Sequence, residues 1–520
     1  MHPPDLLRAA VLVVYAATLL LLFGYGLNFL YLTGLALRTR RRRPKSSAPL
    51  TWPSVTIQLP IYNELYVAER LISFVARMDY PAADLEIQVL DDSTDETAVI
   101  VAREVASWRK VGVDITQIRR ADRVGFKAGA LANGLEQARS ELVAIFDADF
   151  LPRSDFLLRT VPVLLSDPEL AFVQARWGHL NRTSSLLTRL QALAIDGHFG
   201  VEQAARSAGG QWFNFNGTAG IWRRAALRDA GGWEHDTLTE DLDISYRAFL
   251  AGWRAEYLLD LEVPAELPVS FNAFRRQQHR WARGSFECAI KHLPAVWRSP
   301  ASRSRKLQAT LHLTGYVIHL LLLALSFTYP LLVVTSSSHD APLAQFSIVG
   351  IFNVTILAPT LLFAVGQHQV GRRWLTELPE ILALNIFGAG MMANTARAAW
   401  AAMGRRPGAF ERTPKFGIRD RGAGWLGLRY QLGVDRIVIV EIGLAALNAA
   451  TAIAAAQRGW WPIAAYAGIF AAGLWSAVAL TISQAIRTGL ATRRITSQLA
   501  GRRHEAVEQR VRAPLIRPPV

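Results

Sequence analysis

Apolar residues fall in two kinds of run along this chain of 520 residues. The long runs are Leu6–Leu37, Leu311–Val334, Leu343–Val365, Ile437–Ala455 and Trp461–Ile482. Each is long enough to cross a hydrocarbon core about 30 Å thick. The short runs lie between Val55 and about Pro300 and alternate with helical periodicity. Strands are predicted at Val55–Leu59, Leu85–Leu90, Val113–Gln117 and from Leu142 into Asp147, and helices at Leu65–Met78, Glu96–Trp108 and from Lys127 to Arg139. Leu142-Val-Ala-Ile-Phe146 shows no polar alternation, as befits a parallel strand covered on both faces. The pattern predicts an α/β domain with a mostly parallel sheet, set between membrane-spanning helices.

Charge refines this picture. The formal net charge is +15, with a pI near 10.3. Lys and Arg bunch at Arg38–Lys45, Arg298–Lys306, Arg405–Arg421 and Arg487–Arg512, each beside an apolar run. That is the positive-inside pattern of cytoplasmic loops next to anionic lipid, and no basic-aromatic module points to nucleic acid. Leu6–Leu37 carries one charge, Arg8, and no convincing cleavage site, so it reads as a retained span. Ser336-Ser-Ser-His-Asp340 has no Lys or Arg and is expected outside. Ile381–Met403 is apolar but holds Asn385, Asn394 and Arg397. Laid along the cytoplasmic interface it keeps Arg405–Arg421 inside, leaving five spans in all. A single cysteine, Cys288, excludes internal disulfides. The last thirty or so residues, Arg-rich and ending in Pro518-Pro519, are expected to be disordered.

Polar clusters follow the predicted strands: Pro60-Ile-Tyr-Asn-Glu64, Asp91-Asp-Ser-Thr-Asp95, Ile118–Arg123 and Asp147-Ala-Asp149. In open α/β sheets ligands bind outside the carboxyl ends of the strands. Asp147 and Asp149 there suit Mg2+ or Mn2+ carrying a diphosphate better than Zn2+. Three further stretches stand out, each with a plainer alternative. Phe215-Asn-Gly-Thr-Ala-Gly220 reads as a loop bringing backbone donors to a sugar or phosphate, or as an ordinary turn. Thr239-Glu-Asp-Leu-Asp243 opens a helix, where acids also serve simply as caps. Gln277, Arg280 and Trp281 share one helix face, as a sugar platform or a membrane-anchoring patch.

In this order and between membrane spans, Asp91-Asp92, Asp147-Ala-Asp149, Thr239-Glu-Asp241 and Gln277-x-x-Arg280-Trp281 resemble the processive membrane synthases of glycosyltransferase family 2, among them cellulose, chitin and hyaluronan synthases. Asp91-Asp-Ser-Thr-Asp95, Lys127-Ala-Gly-Ala-Leu131, Phe215–Gly220, Ala265-Glu-Leu-Pro268 and Gln277-Gln-His-Arg-Trp281 look most like the mannan and glucomannan synthase branch of the cellulose-synthase-like proteins. The resemblance covers Val55–Pro300 strongly and the membrane part loosely. It implies a cytosolic GT-A-like (Rossmann-like) domain inserted between transmembrane helices of the cell (inner) membrane.

Roles follow position by position. Tyr62, Glu64, Asp91 and Asp92 would hold base and ribose, and Lys127 would sit by the nucleotide. Asp147 and Asp149 would hold the metal and diphosphate, and Asp241 would be the general base. Glu240, Gln277, Arg280 and Trp281 would meet the acceptor or diphosphate. Phe410-Glu-Arg-Thr-Pro-Lys415 partly resembles the gating loop of cellulose synthase, with Phe410, Thr413 and Lys415 in register and Arg412 in place of the usual Val.

The implied activity is inverting, metal-dependent and processive transfer of hexose from GDP-mannose or UDP-glucose to a growing β-glycan, with export across the lipid membrane. The alternatives are a membrane transferase adding one sugar to a lipid, which shares much of this residue set, and an inactive nucleotide-sugar sensor. The implied plan runs through a span in 1–37, a basic linker at 38–53, the catalytic domain at 54–300 with an interfacial helix at 270–292, and spans at 307–335 and 343–366. It continues with an interfacial helix at 378–403, a candidate gating loop at 404–421, spans at 433–456 and 460–485, and a basic tail at 486–520. Neither the sugar nor a partner subunit can be named from sequence.

Overall fold

The computed structural model describes residues 3–40, 46–336, 357–404, 408, 411–419 and 424–512. Phe410, the loop at 337–340 and most of the span expected at 343–366 lie outside them.

A seven-stranded sheet forms the heart of the chain. Its strands are β1 (Val55–Ile61), β2 (Leu85–Asp91), β3 (Ile115–Ile118), β4 (Leu142–Ile145), β5 (Leu170–His179), β6 (Gly220–Arg223) and β7 (Arg254–Ala265), in the order β3-β2-β1-β4-β6-β5-β7. β1 to β4 are mutually parallel, and β5 is parallel to β7. β6 departs from the expected parallel pattern and runs antiparallel between β4 and β5, pairing Gly220 with Ile145. That reversal has a consequence. The antiparallel strand begins where β4 ends, so the Phe215–Gly220 loop is delivered directly against Asp147. The amide of Asp147 donates to Thr218 Oγ1 at 2.9 Å.

Every residue of β4 is buried, as are Val55, Ile57 and Leu59 of β1. Helices on both faces bury two apolar cores, one around Val55, Ile57, Leu71 and Val101 and one around Val143, Phe172, Phe215 and Trp222.

Among the described residues, four helices are long and apolar enough to cross a membrane: Leu6–Thr39, Val317–Thr335, Val438–Gln457 and Trp461–Leu490. They pack around a shared core that includes Tyr15, Leu325, Tyr329, Leu444 and Phe470. The stretch 378–403 forms two helices, Leu378–Ala389 and Met392–Met403, each of 12 residues and too short to span. They break at Gly390, where a Cβ would clash with the Gly473 carbonyl. The last helix continues from Trp461 to Arg512, well into the Arg-rich stretch expected to lack order. Its Ala, Leu, Arg and Gln residues are all strong helix formers.

Two buried contacts tie the membrane helices to the sheet domain. Arg275 pairs with Glu441 at 2.7 Å, both side chains fully buried. Arg182 bonds to Asp196, Gln367 and Glu377.

Candidate active site

One cleft opens at the carboxyl ends of β1, β2 and β4. It is lined by Tyr62, Glu64, Asp92, Lys127, Asp147, Asp149, Glu240, Asp241, Gln277, Arg280, Trp281, Thr413 and Lys415. All of these were singled out from the sequence. Asp91 does not line it. Its side chain is buried beneath the loop, accepting from the Ser93 amide at 2.9 Å and from Gln117 Nε2 at 2.8 Å. That carboxylate shapes the turn after β2 instead of facing a ligand.

Lys127 stands at the centre. It follows a tight turn in which Gly125 (φ +72°) and Phe126 (φ +50°) both occupy left-handed conformations. Gly129 has to be glycine here, because a Cβ would clash with the Val124 carbonyl. The Nζ of Lys127 lies 2.5 Å from Asp147, 3.7 Å from Glu240 and 2.9 Å from the Gly217 carbonyl. Burial opposes its charge, but the carboxylates of Asp147 and Glu240 outweigh it and raise its pKa. Asp149 holds a second lysine, Lys415, at 2.7 Å. Two carboxylates one residue apart, each met by a cation, form the hard-oxygen donor set that suits a divalent ion.

Asp241 opens the helix Glu240–Leu250 across the cleft. Burial, reinforced by the neighbouring Glu240 charge, pushes its carboxyl up to about 7 against the pull of Lys127. The Phe215–Gly220 loop passes so close that a Cβ at Gly217 (φ +77°) would sit 2.9 Å from Asp241 Oδ2.

Gln277, Arg280 and Trp281 face the same space from the helix Phe271–Arg298, whose N-terminal Ser270 side chain accepts from the Ala273 amide. Gly284 lets this helix close on the Asp241 helix, since a Cβ there would clash with Thr239. Asp243 locks the pair, bonding His292 and Lys291 at 2.8 Å each. Burial disfavours its charge, but His292, Arg247 and Lys291 hold its carboxyl down at about 2. Trp281 stands 6.4 Å, ring to ring, from Trp177, which also lines the cleft.

A strap from Glu411 to Arg419 borders the cleft, which Arg412, Thr413 and Lys415 help to line. Arg412 pairs with Glu64 at 2.7 Å, yet burial still pushes the Glu64 carboxyl up to about 7. Lys415 bonds the Glu266 carbonyl as well as Asp149. The Glu266 carboxylate accepts from the Phe416 and Gly417 amides at 2.8 Å each. Sequence reasoning noted Ala265-Glu-Leu-Pro268 only as a likeness. The anchoring role of Glu266, and the place of Arg123 and Trp177 in the cleft, were missed.

A family model described as glycosyltransferase like family 2 matches residues 53–284. This stretch is a family 2 glycosyltransferase domain. A probable glucomannan 4-beta-mannosyltransferase of Oryza sativa subsp. japonica is 49% identical over 237 residues, 45% of this chain and 40% of that protein. A glucomannan 4-beta-mannosyltransferase of Arabidopsis thaliana is 46% identical over 256 residues, 48% of each chain. The match therefore spans about half the length of these relatives.

Among solved structures, a mannosyltransferase from Pyrobaculum calidifontis in complex with GDP-Man and Mn2+ aligns over 76% of this chain and 99% of its own. The identity is 23% and the TM-score 0.50, a likeness of fold. The glycosyltransferase domain thus takes the GT-A-like α/β fold, flanked at both ends by apolar helices.

Proposed function

We propose that the chain is an inverting β-hexosyltransferase that lengthens a β-linked mannan, glucan or glucomannan from a nucleotide sugar, GDP-mannose or UDP-glucose, and passes the product through its membrane helices. The observation that carries this reading is the position of Asp241. It is a buried carboxyl, poised near neutrality, in one cleft with Asp147, Asp149 and the Gln277–Trp281 face. The glucomannan mannosyltransferase relatives support mannose as the transferred sugar.

An α-linked donor attacked in line gives a β-linked product. The acceptor hydroxyl oxygen bonds to the anomeric carbon as the bond from that carbon to the diphosphate breaks. Asp241 takes the hydroxyl proton, and a carboxyl of pKa near 7 is matched to that task. The diphosphate departs with the electron pair, its charge met by Lys127 and Arg280. Mg2+ or Mn2+ held by Asp147 and Asp149 would add a further charge sink for the diphosphate. Trp281 would stack on the acceptor's terminal sugar, and Tyr62 and Glu64 would meet the nucleoside.

The catalytic domain is placed on the cytosolic side, where nucleotide sugars and the basic flanks would lie. The test is to supply purified protein with a panel of labelled nucleotide sugars and to type the product by size and linkage. A β-linked polymer is expected. A single sugar on lipid would replace this reading with that of a lipid transferase.

A further inference from the structure

The donor end of the cleft contains a guanidinium with no hydrogen-bond acceptor among the described residues. The Arg123 guanidinium lies over the Tyr62 ring, 3.3 Å from its centroid, and 5.0 Å from Phe126. It lines the cleft with Tyr62 and Asp92. Its Nε is buried without a hydrogen-bond partner, and among the described residues no carboxylate or carbonyl accepts from its side chain. Its neighbours differ. Arg119 donates to the Ser93 carbonyl, and Arg120 to Asp92 and to the Val124 and Phe126 carbonyls. Stacking on Tyr62 leaves the in-plane N–H groups of this half-buried guanidinium without an acceptor among the described residues, and a buried donor left so is costly and favours an acceptor from outside the chain. The turn that presents it is firmly set by Gly125, Phe126 and the close approach of Gly129, so Arg123 and Lys127 keep a fixed relation.

We propose that Arg123 reads the base of the donor and biases the site toward a guanosine diphosphate sugar. This rests on the reading that the Tyr62 end holds the nucleoside. A guanidinium offers two parallel N–H groups in one plane, and guanine presents O6 and N7 side by side as acceptors. Uracil has no such adjacent pair, because its O4 is flanked by a C–H and an N–H donor. Bidentate pairing sets base and guanidinium in one plane, so Arg123 can bind without leaving Tyr62. Guanine's opposite edge, with N1–H and the amino group, would need a carboxylate instead. Those nearby are engaged: Asp91 by Ser93 and Gln117, Asp92 by Arg120, and Glu64 by Arg412.

The experiment is equilibrium binding of GDP, UDP and 7-deaza-GDP, which carries carbon in place of N7, to the full chain in detergent. The wild type should bind GDP at least about tenfold tighter than UDP, and 7-deaza-GDP several-fold weaker than GDP. In R123Q and R123K the GDP affinity should fall about tenfold while UDP changes less than about twofold, and 7-deaza-GDP should match GDP. Equal losses of GDP and UDP in the variants, or a wild type indifferent to N7, would overturn the role of Arg123. The wild-type N7 comparison needs no variant to fold. Binding of neither GDP nor UDP by the wild type would overturn the donor-site reading itself.

Discussion

Replacing Glu266 by Ala isolates what holds the strap beside the cleft. Glu266 is buried at 2% exposure, and its two carboxylate oxygens each accept a backbone amide of the strap, from Phe416 and Gly417, at 2.8 Å. Hydrogen bonds to a charged group contribute about 1.5–3 kcal/mol each, so the pair holds the strap by roughly 3–6 kcal/mol. At about 1.4 kcal/mol per tenfold, even the lower figure makes opening of the strap about a hundredfold more frequent once both bonds are lost. Hydrogen exchange read by mass spectrometry is the assay. The amides of Phe416 and Gly417 should exchange at least about a hundredfold faster in E266A, while β1 and β4 keep their protection. Lys415 would still reach Asp149, so the strap should loosen without leaving the cleft entirely. Unchanged exchange at 416 and 417 would refute the anchoring role. Equal acceleration across β4 would show instead that Glu266 supports the whole sheet.

Two further outcomes follow from the geometry. Asp241 has to be ionised to take a proton, and its carboxyl stands at about 7, so the transfer rate at saturating donor should fall as pH drops through that value. A rate flat from pH 5 to 8 would place the base elsewhere. Removing one partner of the fully buried Arg275–Glu441 pair leaves an uncompensated charge, so E441Q should lose about 3–5 kcal/mol of stability. The double variant R275M/E441L should recover most of that loss in thermal melts, and a double variant as unstable as the single would contradict the argument.

Much of the architecture was legible because burial leaves a mark on sequence. Leu142–Ile145 is covered on both faces and reads as an unbroken apolar run, while Val55–Leu59 alternates with Thr56 and Gln58, which are buried as well. The polar clusters after them fell on one rim, as parallel strands require. Less legible was anything decided by a distant partner. Nothing beside Glu441 in the sequence names its partner, Arg275, which lies 166 positions away. Asp91 looked equivalent to Asp92 from the sequence. The turn after β2 nonetheless points one carboxylate inward to Ser93 and Gln117 and the other to the cleft. The antiparallel setting of β6 could not be read from four residues, Gly220–Arg223, whose direction is fixed only by the long excursion before them. Arg412 broke the expected gating-loop pattern, and its reason lies in Glu64, with which it pairs across the cleft.

The most direct measurement compares D241N with the wild type in a single sample supplied with labelled GDP-mannose, scoring bound nucleotide and transferred hexose together. Binding of the donor at wild-type affinity with transfer reduced at least about a hundredfold is the predicted result. Transfer at ordinary rates in D241N would contradict the assignment of the base, and with it the chemistry assigned to this cleft.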